Sequence, residues 1–369
     1  MNVPECNLDV LVSPTTRCNL RCRYCYVDGS MAVPSSMTLD DADHAFRWLR
    51  DYARLIRPRR VRMTWFGGEP TLLGARFLED ALALQERHLA EFDVLSNIQT
   101  NLTLPVAEYV PIYHRYFRST VGFSCDTPGG YRRFPDGADA TDVVERHVKE
   151  LQDRGVLLGA VCTLTARDRG RGGAIYEYFK NLGVRFRVNR AAASHRMSKE
   201  GLLLTISEYE DIVLQIAERY FSDPNPTISF HNMDLMVAAY LNGNAMLCVD
   251  PRNPQRYIGF EAAGRIMPRC RFGAAVGNYY TDEARDVLTR VTQMKFDYRR
   301  PQACRDCEFF GRVCLGACPG EQNCDCQSSD CGYRTEATCR IWRYVKECSI
   351  LRGLEYGCFS RGNELGKSV

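Results

Sequence analysis

Pro14-Thr15-Thr16-Arg17-Cys18-Asn19-Leu20-Arg21-Cys22-Arg23-Tyr24-Cys25-Tyr26-Val27-Asp28 is the stretch on which the reading of this chain turns. Cys18, Cys22 and Cys25 are spaced C-x3-C-x2-C, and no further cysteine follows before Cys125. Three thiolates on one short loop can hold three irons of a cubane [4Fe–4S] cluster and leave the fourth iron without a protein ligand. A structural zinc site instead shows paired C-x2-C units and four ligands.

The loop resembles the cluster loop of the radical S-adenosylmethionine (SAM) superfamily, with the aromatic Tyr24 just before the third cysteine. The resemblance implies that the open iron chelates the amino and carboxylate groups of SAM. An electron from the cluster then yields a 5′-deoxyadenosyl radical that abstracts a hydrogen atom from the substrate. It further implies an electron donor of the flavodoxin or ferredoxin type.

The composition is compatible with this. The 369 residues suffice for one large domain and a smaller one, and 45% apolar content can bury a sizeable core. A net charge of +3 with 25% charged residues argues against a nucleic-acid partner or an acidic tail. No signal peptide and no apolar run of membrane-spanning length is evident, so a cytoplasmic enzyme with no membrane partner is expected. In a reducing compartment 18 cysteines suggest metal, and ten of them lie in residues 304–358.

Working outward from the cluster loop, strands and helices alternate over residues 1–195. Strands are expected at 7–12, 61–66, 94–101, 120–126, 157–165 and 184–189. Helices are expected at about 38–56, 73–91, 143–154 and 175–182, the first with Thr38 as N-cap and an acidic first turn. Such alternation builds a parallel sheet whose ligands sit at the carboxyl ends of the strands. Six units suggest an α/β fold, the partial (β/α)6 barrel of the family, with a lateral opening that admits large substrates.

The second strand ends in Gly67-Gly68-Glu69-Pro70. An ammonium wants converging acceptors, and glycines let backbone come close. By resemblance, Gly67, Gly68, Glu69 and Pro70 hold the amino group of SAM. Gln99, Asn101, Ser124, Asp126 and Asn189, at the ends of later strands, join Tyr24 as candidate cofactor or substrate contacts. Leu102 and Thr127 stand where the family usually has glycine. Cys125 and Cys162 lie in strands and read either as small buried hydrophobes or as hydrogen-atom or proton donors in the barrel. His195 follows the sixth strand and could face the cavity.

Residues 196–245 read as a helical bridge, with helices at 207–221 and 233–241. Tyr209, His231, Asn232 and Asp234 are weaker candidates for a substrate face. Residues 246–369 read as a second metal domain. Cys248, then Gly264 and Cys270, then Cys304-x2-Cys307-x6-Cys314-x3-Cys318, then Cys339 resemble the SPASM extension of radical SAM enzymes. Two gaps are each one residue longer than usual. The resemblance implies two auxiliary [4Fe–4S] clusters, an inner one on Cys248, Cys270 and Cys318 and an outer one on Cys304, Cys307, Cys314 and Cys339. The inner cluster stays open at one iron or takes Cys324, Cys326 or Cys331. Cys348 and Cys358 read as structural.

SPASM enzymes act mostly on peptides, and a smaller group oxidises alcohols of aminocyclitol and sugar antibiotics. In sulfatase maturation an aspartate base follows the second cysteine of the extension, whereas here Arg271 follows Cys270. A guanidinium cannot act as base but can hold a substrate anion. The first strand begins by residue 7, which leaves no room before it for a leader-recognition domain. The expected function is a peptide maturase forming a side-chain cross-link. The alternative is a dehydrogenase that takes a secondary alcohol of a sugar or cyclitol to a ketone.

Overall fold

The computed structural model describes residues 7–25, 35–191, 201–243, 253–268, 274–294, 307–310, 312–314 and 340–351. Six parallel strands follow one another in space as in sequence: β1 (Asn7–Ser13), β2 (Arg60–Trp65), β3 (Val94–Thr100), β4 (Thr120–Ser124), β5 (Leu157–Leu164) and β6 (Arg185–Arg190). Between them lie α1 (Leu39–Ile56), α2 (Ala75–His88), α3 (Val110–Tyr116), α4 (Thr141–Asp153) and α5 (Gly172–Leu182). β1 and β6 do not pair, so the barrel is partial, as the alternation predicted.

The strands alternate in burial. Leu8, Val10 and Val12 of β1 are buried, while Asp9 and Leu11 are half-exposed. β2 and β5 repeat this pattern. A parallel sheet covered on both faces is apolar on both. Here only the helix side is, because the other face lines an open lumen.

α1 shows why these helices form where they do. Thr38 accepts from the Asp41 amide at 3.0 Å and Asp41 answers the Thr38 amide at 2.8 Å, a reciprocal cap. Ala42, Ala45, Phe46, Leu49, Tyr52 and Ala53 recur at helical spacing and are buried against the sheet.

Beyond β6 come α6 (Ile206–Ser222) and α7 (His231–Asn242). The segment that starts α7 closes the free edge of β6. Phe186 donates its amide to the Ser229 carbonyl at 3.0 Å. Asn232 accepts the Val188 N–H at 2.8 Å and donates to the Val188 carbonyl at 3.0 Å. Phe186 also lies stacked between Phe179 and Phe230, at 4.6 and 5.0 Å. Unpaired edges template aggregation, and this one is covered by the Ser229 backbone and the Asn232 side chain rather than by another full strand.

The other edge is extended. β7 (Tyr257–Glu261) pairs parallel with β1, then β8 (Arg265–Met267) and β9 (Gly277–Asn278) follow antiparallel. The β7–β8 turn takes positive φ at Ala263 and Gly264, and a Cβ on Gly264 would lie 2.3 Å from the Asn278 amide. The glycine that the metal-domain motif singled out is therefore the corner of a hairpin. These strands come from the stretch assigned by sequence to a separate second domain, yet they belong to the barrel sheet. α8 (Ala284–Gln293) packs against α1, where Trp48 donates to the Asp282 carbonyl at 2.8 Å. α9 (Arg340–Leu351) stacks Trp342 on Phe309. No helix among the described residues is long and apolar enough to cross a membrane.

Asn232→Ala removes two hydrogen bonds from the β6 edge. The unfolding free energy is expected to fall by about 1–3 kcal/mol, measured by urea denaturation. An unchanged midpoint would show that water replaces the amide without cost.

Candidate active site at the carboxyl end of the barrel

The cluster loop leaves β1 with no regular structure of its own and is held by backbone from three sides. Thr16 donates its amide to the Ser35 carbonyl at 3.0 Å, Arg21 to Arg133 at 2.7 Å and Arg23 to Tyr131 at 3.2 Å. The Arg23 guanidinium also lies 4.8 Å over the Tyr131 ring. Cys25 donates its amide to the Cys22 carbonyl at 3.0 Å, which folds the last two cysteines into a tight turn. Cys22 is buried, and Cys18 and Cys25 are half-buried. Burial pushes the Cys22 thiol up to about 11 and raises Cys18 as well. No three His, Cys, Asp or Glu side chains among the described residues are grouped as a single metal ion requires. A cubane takes one thiolate per iron, so a loop with three separated thiols suits it.

The Gly67–Pro70 turn lies directly against this loop. Gly68 donates its amide to the Thr15 carbonyl and Glu69 to the Arg17 carbonyl, each at 2.8 Å. A Cβ on Gly68 would sit 2.1 Å from the Arg17 carbonyl oxygen, so only glycine permits the approach. Glu69 is fully buried. Its Oε1 accepts from the Thr71 amide at 3.0 Å, the Thr71 hydroxyl at 2.6 Å and the Thr100 hydroxyl at 2.7 Å. Among the described residues its Oε2 accepts only from the Asn101 amide, at 2.5 Å. Burial raises the Glu69 carboxyl, opposed by these donors.

Asn101 is turned towards the cluster loop. Its side chain donates to Asn19 at 2.7 Å and to the Cys18 sulfur at 3.7 Å, while its Oδ1 accepts from the Thr103 amide and hydroxyl. The next residue, Leu102, has φ of 58° and is buried. Here a leucine adopts the left-handed conformation that favours glycine, and the His147 ring meets its carbonyl at 2.9 Å. Thr127 is not among the residues with positive φ, so the second missing glycine is not needed.

Tyr24 and Asp126 are joined. The Tyr24 hydroxyl reaches both carboxylate oxygens at 2.9 and 2.8 Å. Sequence reasoning missed the third member. Arg132 donates to the Tyr24 oxygen at 3.2 Å, and its Nε is buried with no partner among the described residues. Burial raises the Asp126 carboxyl, and the guanidinium opposes that rise. The signal available was only a basic pair, Arg132-Arg133, after a glycine turn.

The pleat sorts the remaining candidates. Gln99 donates to the Ser124 hydroxyl at 3.1 Å, on the lumen side. Asn189 pairs in register with Thr163, whose amide reaches Asp126. Neighbouring residues of a strand face opposite ways. Cys125 therefore points to the helix layer, where its sulfur meets the Tyr178 hydroxyl of α5 at 3.5 Å. Cys162 is likewise buried in the apolar core on that side. Neither thiol is placed to serve as a donor inside the barrel, which corrects that expectation.

His231 lines the lumen, whereas Asn232 caps β6, Tyr209 donates to the Val188 carbonyl at 3.3 Å and Asp234 accepts from Tyr220 at 2.8 Å. Cys307 and Cys314 lie half-buried on one short turn, with Cys314 donating its amide to Phe309 at 3.0 Å. Cys348 is buried on α9. Arg271, His195, Cys248, Cys270, Cys304, Cys318, Cys324, Cys326, Cys331, Cys339 and Cys358 lie outside the described residues.

Comparison with known proteins agrees with this geometry. Residues 12–165 match the family described as the radical SAM superfamily. The cysteine-type anaerobic sulfatase-maturating enzyme of Clostridium perfringens is 22% identical, covering 94% of this chain and 97% of that protein. The structure of anSMEcpe with bound AdoMet and Cp18Cys peptide superposes with a TM-score of 0.76 at 20% identity, over 94% of this chain and 97% of that one. Streptococcus suis SuiB bound to precursor peptide SuiA gives 0.59 at 14% identity, over 92% and 77%.

Two outcomes are expected from the site. Gly68→Ala should displace the Arg17 carbonyl and lower iron loading from about twelve towards roughly eight irons per chain, measured after anaerobic reconstitution. Burial and the two nearby arginines hold His231 down at about 4, from 6.5. The folded state thus resists its protonation, and the stability this confers is full above pH 6.5 and lost as pH falls towards 4. His231→Gln should remove about 1–3 kcal/mol of that pH dependence, read from urea melts at pH 7 and pH 4.5.

Proposed function

Because residues 12–165 are a radical SAM domain, we propose that this chain is a peptide maturase that oxidises a side chain of its substrate by two electrons and forms a cross-link. The observation that carries the peptide reading is the fold shared over most of the chain with anSMEcpe, bound to a Cys-containing peptide, and with SuiB, bound to its precursor peptide. The barrel lumen of this chain is open and carries amide and guanidinium side chains among its apolar lining.

Cys18, Cys22 and Cys25 would hold the cluster, which with SAM supplies the 5′-deoxyadenosyl radical that takes a hydrogen atom from the substrate. The chain's own groups suit the cofactor. Glu69 Oε2 has one donor among the described residues and keeps a lone pair for an ammonium. The unpartnered Nε of Arg132 suits a carboxylate. Gln99, Ser124 and Asn189 offer amide and hydroxyl groups to what lies beneath. Cys248, Cys270 and Cys318 would hold an inner auxiliary cluster, and Cys304, Cys307, Cys314 and Cys339 an outer one. Such clusters would supply an acceptor for the second electron. A cross-link is favoured over Ser or Cys oxidation because Arg271 stands where sulfatase maturation needs a base.

Reconstituted enzyme with SAM and dithionite is expected to form 5′-deoxyadenosine and to remove about two hydrogens from a precursor peptide, read by mass. The Cys18→Ala/Cys22→Ala/Cys25→Ala variant should form none while keeping roughly eight irons. The same mass loss on an aminocyclitol glycoside, with peptides untouched, would replace this reading by the dehydrogenase.

A further inference from the structure

A cavity of about 380 Å³ occupies the lumen beneath the strand ends. Its floor is one register row running across four strands. Gln99 pairs with Gly122, Gly122 with Gly159 and Gly159 with Arg185. The two central positions carry no side chain, and the outer two lean in over them. A Cβ on Gly122 would meet Gln99 Oε1 at 2.6 Å, and one on Gly159 would meet Arg185 Nε at 3.3 Å. Gly122 and Gly159 thus form a trough in which an amide and a guanidinium approach each other.

The charge around this trough is one-sided. Asp9 is the only carboxylate among the described residues lining the cavity, and Arg62 holds it with two bonds of 2.6 Å. Arg185 forms no hydrogen bond or ion pair among the described residues, and burial alone pulls its pKa below the ordinary value. Arg187 lies one row higher, beside Val161 and Ser124. Burial, with a smaller contribution from these two arginines, holds His231 at the start of α7 neutral. A half-buried guanidinium without a carboxylate partner among the described residues is a site for one.

We propose that the lumen recognises a carboxylate of the peptide substrate, which Arg185 binds across the Gly122–Gly159 trough. This rests on the peptide reading above and gives it a substrate class: a peptide with an acidic side chain, or its own C-terminus, close to the reacting residue. The Gln99 to Ser124 hydrogen bond ties the trough to the row above, where Ser124 and Asp126 face the cofactor side. A carboxylate on Arg185 would place its neighbouring atoms under that row. The backbone of the floor is engaged in strand pairing, so no nest of free amides favours a phosphate instead.

The test is calorimetric, on reconstituted full-length protein, and needs no turnover. Its probes are acetyl-Ala-Glu-Ala-amide, acetyl-Ala-Gln-Ala-amide, acetyl-Ala-Ala-Ala with a free carboxylate, and inorganic phosphate. At least one carboxylate peptide is expected to bind at least about tenfold tighter than the Gln peptide. That ratio should fall to within about twofold in Arg185→Gln and be partly kept in Arg185→Lys, both melting as the parent does. Preference for the Glu peptide assigns an acidic side chain, and preference for the free carboxylate assigns the chain end. Equal binding of all three peptides, including none, overturns the proposal. So does discrimination that survives Arg185→Gln, or phosphate binding tighter than either carboxylate. Failure of SAM cleavage would instead strike the maturase reading and leave these affinities as they are.

Discussion

The contact of Gly68 with the Arg17 carbonyl is the constraint on which the site depends. The cluster loop has no helix or strand, so its three cysteines have only what flanks them to set their positions. Gly68 and Glu69 bring two amides to it from the end of β2, and residues 131–133 bring two carbonyls from the far side. Each bond adds about 1 kcal/mol to stability. Their larger effect is geometric, since a ligand set works only when its positions are fixed before the ligand arrives. The buried carboxylate of Glu69 then ties the ends of β2 and β3 together through Thr71, Thr100 and Asn101, and Asn101 passes the tie back to Asn19 and Cys18. Burying that carboxyl is costly, and four donors offset the cost.

The same economy explains a departure from the family. A left-handed leucine costs about 1–2 kcal/mol. Leu102 meets that cost with a fully packed side chain and with a carbonyl held by His147, itself buried on α4. Glycine would remove the strain but also the packing. The turn after β4 needs no such device, because Thr127 stays out of that region.

Much of this was legible in the sequence because it is local. The six strands, the Thr38 cap and the cluster and Gly67–Pro70 turns depend on residues close together in the chain. α3 and α8 were missed. At seven residues with Pro111 in its first turn, α3 is too short to show a period. β7 is buried at every position, so it lacked the alternation that marks a strand, and its pairing with β1 spans most of the chain. The position of Cys125 was legible after all. Ser124 and Asp126 flank it, and a pleat that turns those two into the barrel must turn Cys125 out. Arg132 was not legible, because its partners Tyr24 and Asp126 meet it only in the folded chain.

The lumen was the least legible part, for a reason that bears on specificity. Arg185-Phe186-Arg187-Val188-Asn189 alternates like any half-exposed strand, and alternation alone does not say whether the polar face meets bulk water or a cavity. The curvature of the sheet decides, together with Asn232 and Ser229, which cover the outer edge of β6, and β7, which covers that of β1. With both edges engaged, Arg185 of β6 looks across the barrel at two glycines. A charge held this way cannot be satisfied by a passing surface side chain. What enters must bring the counter-charge with it, so the lumen selects by charge before the chemistry above it acts.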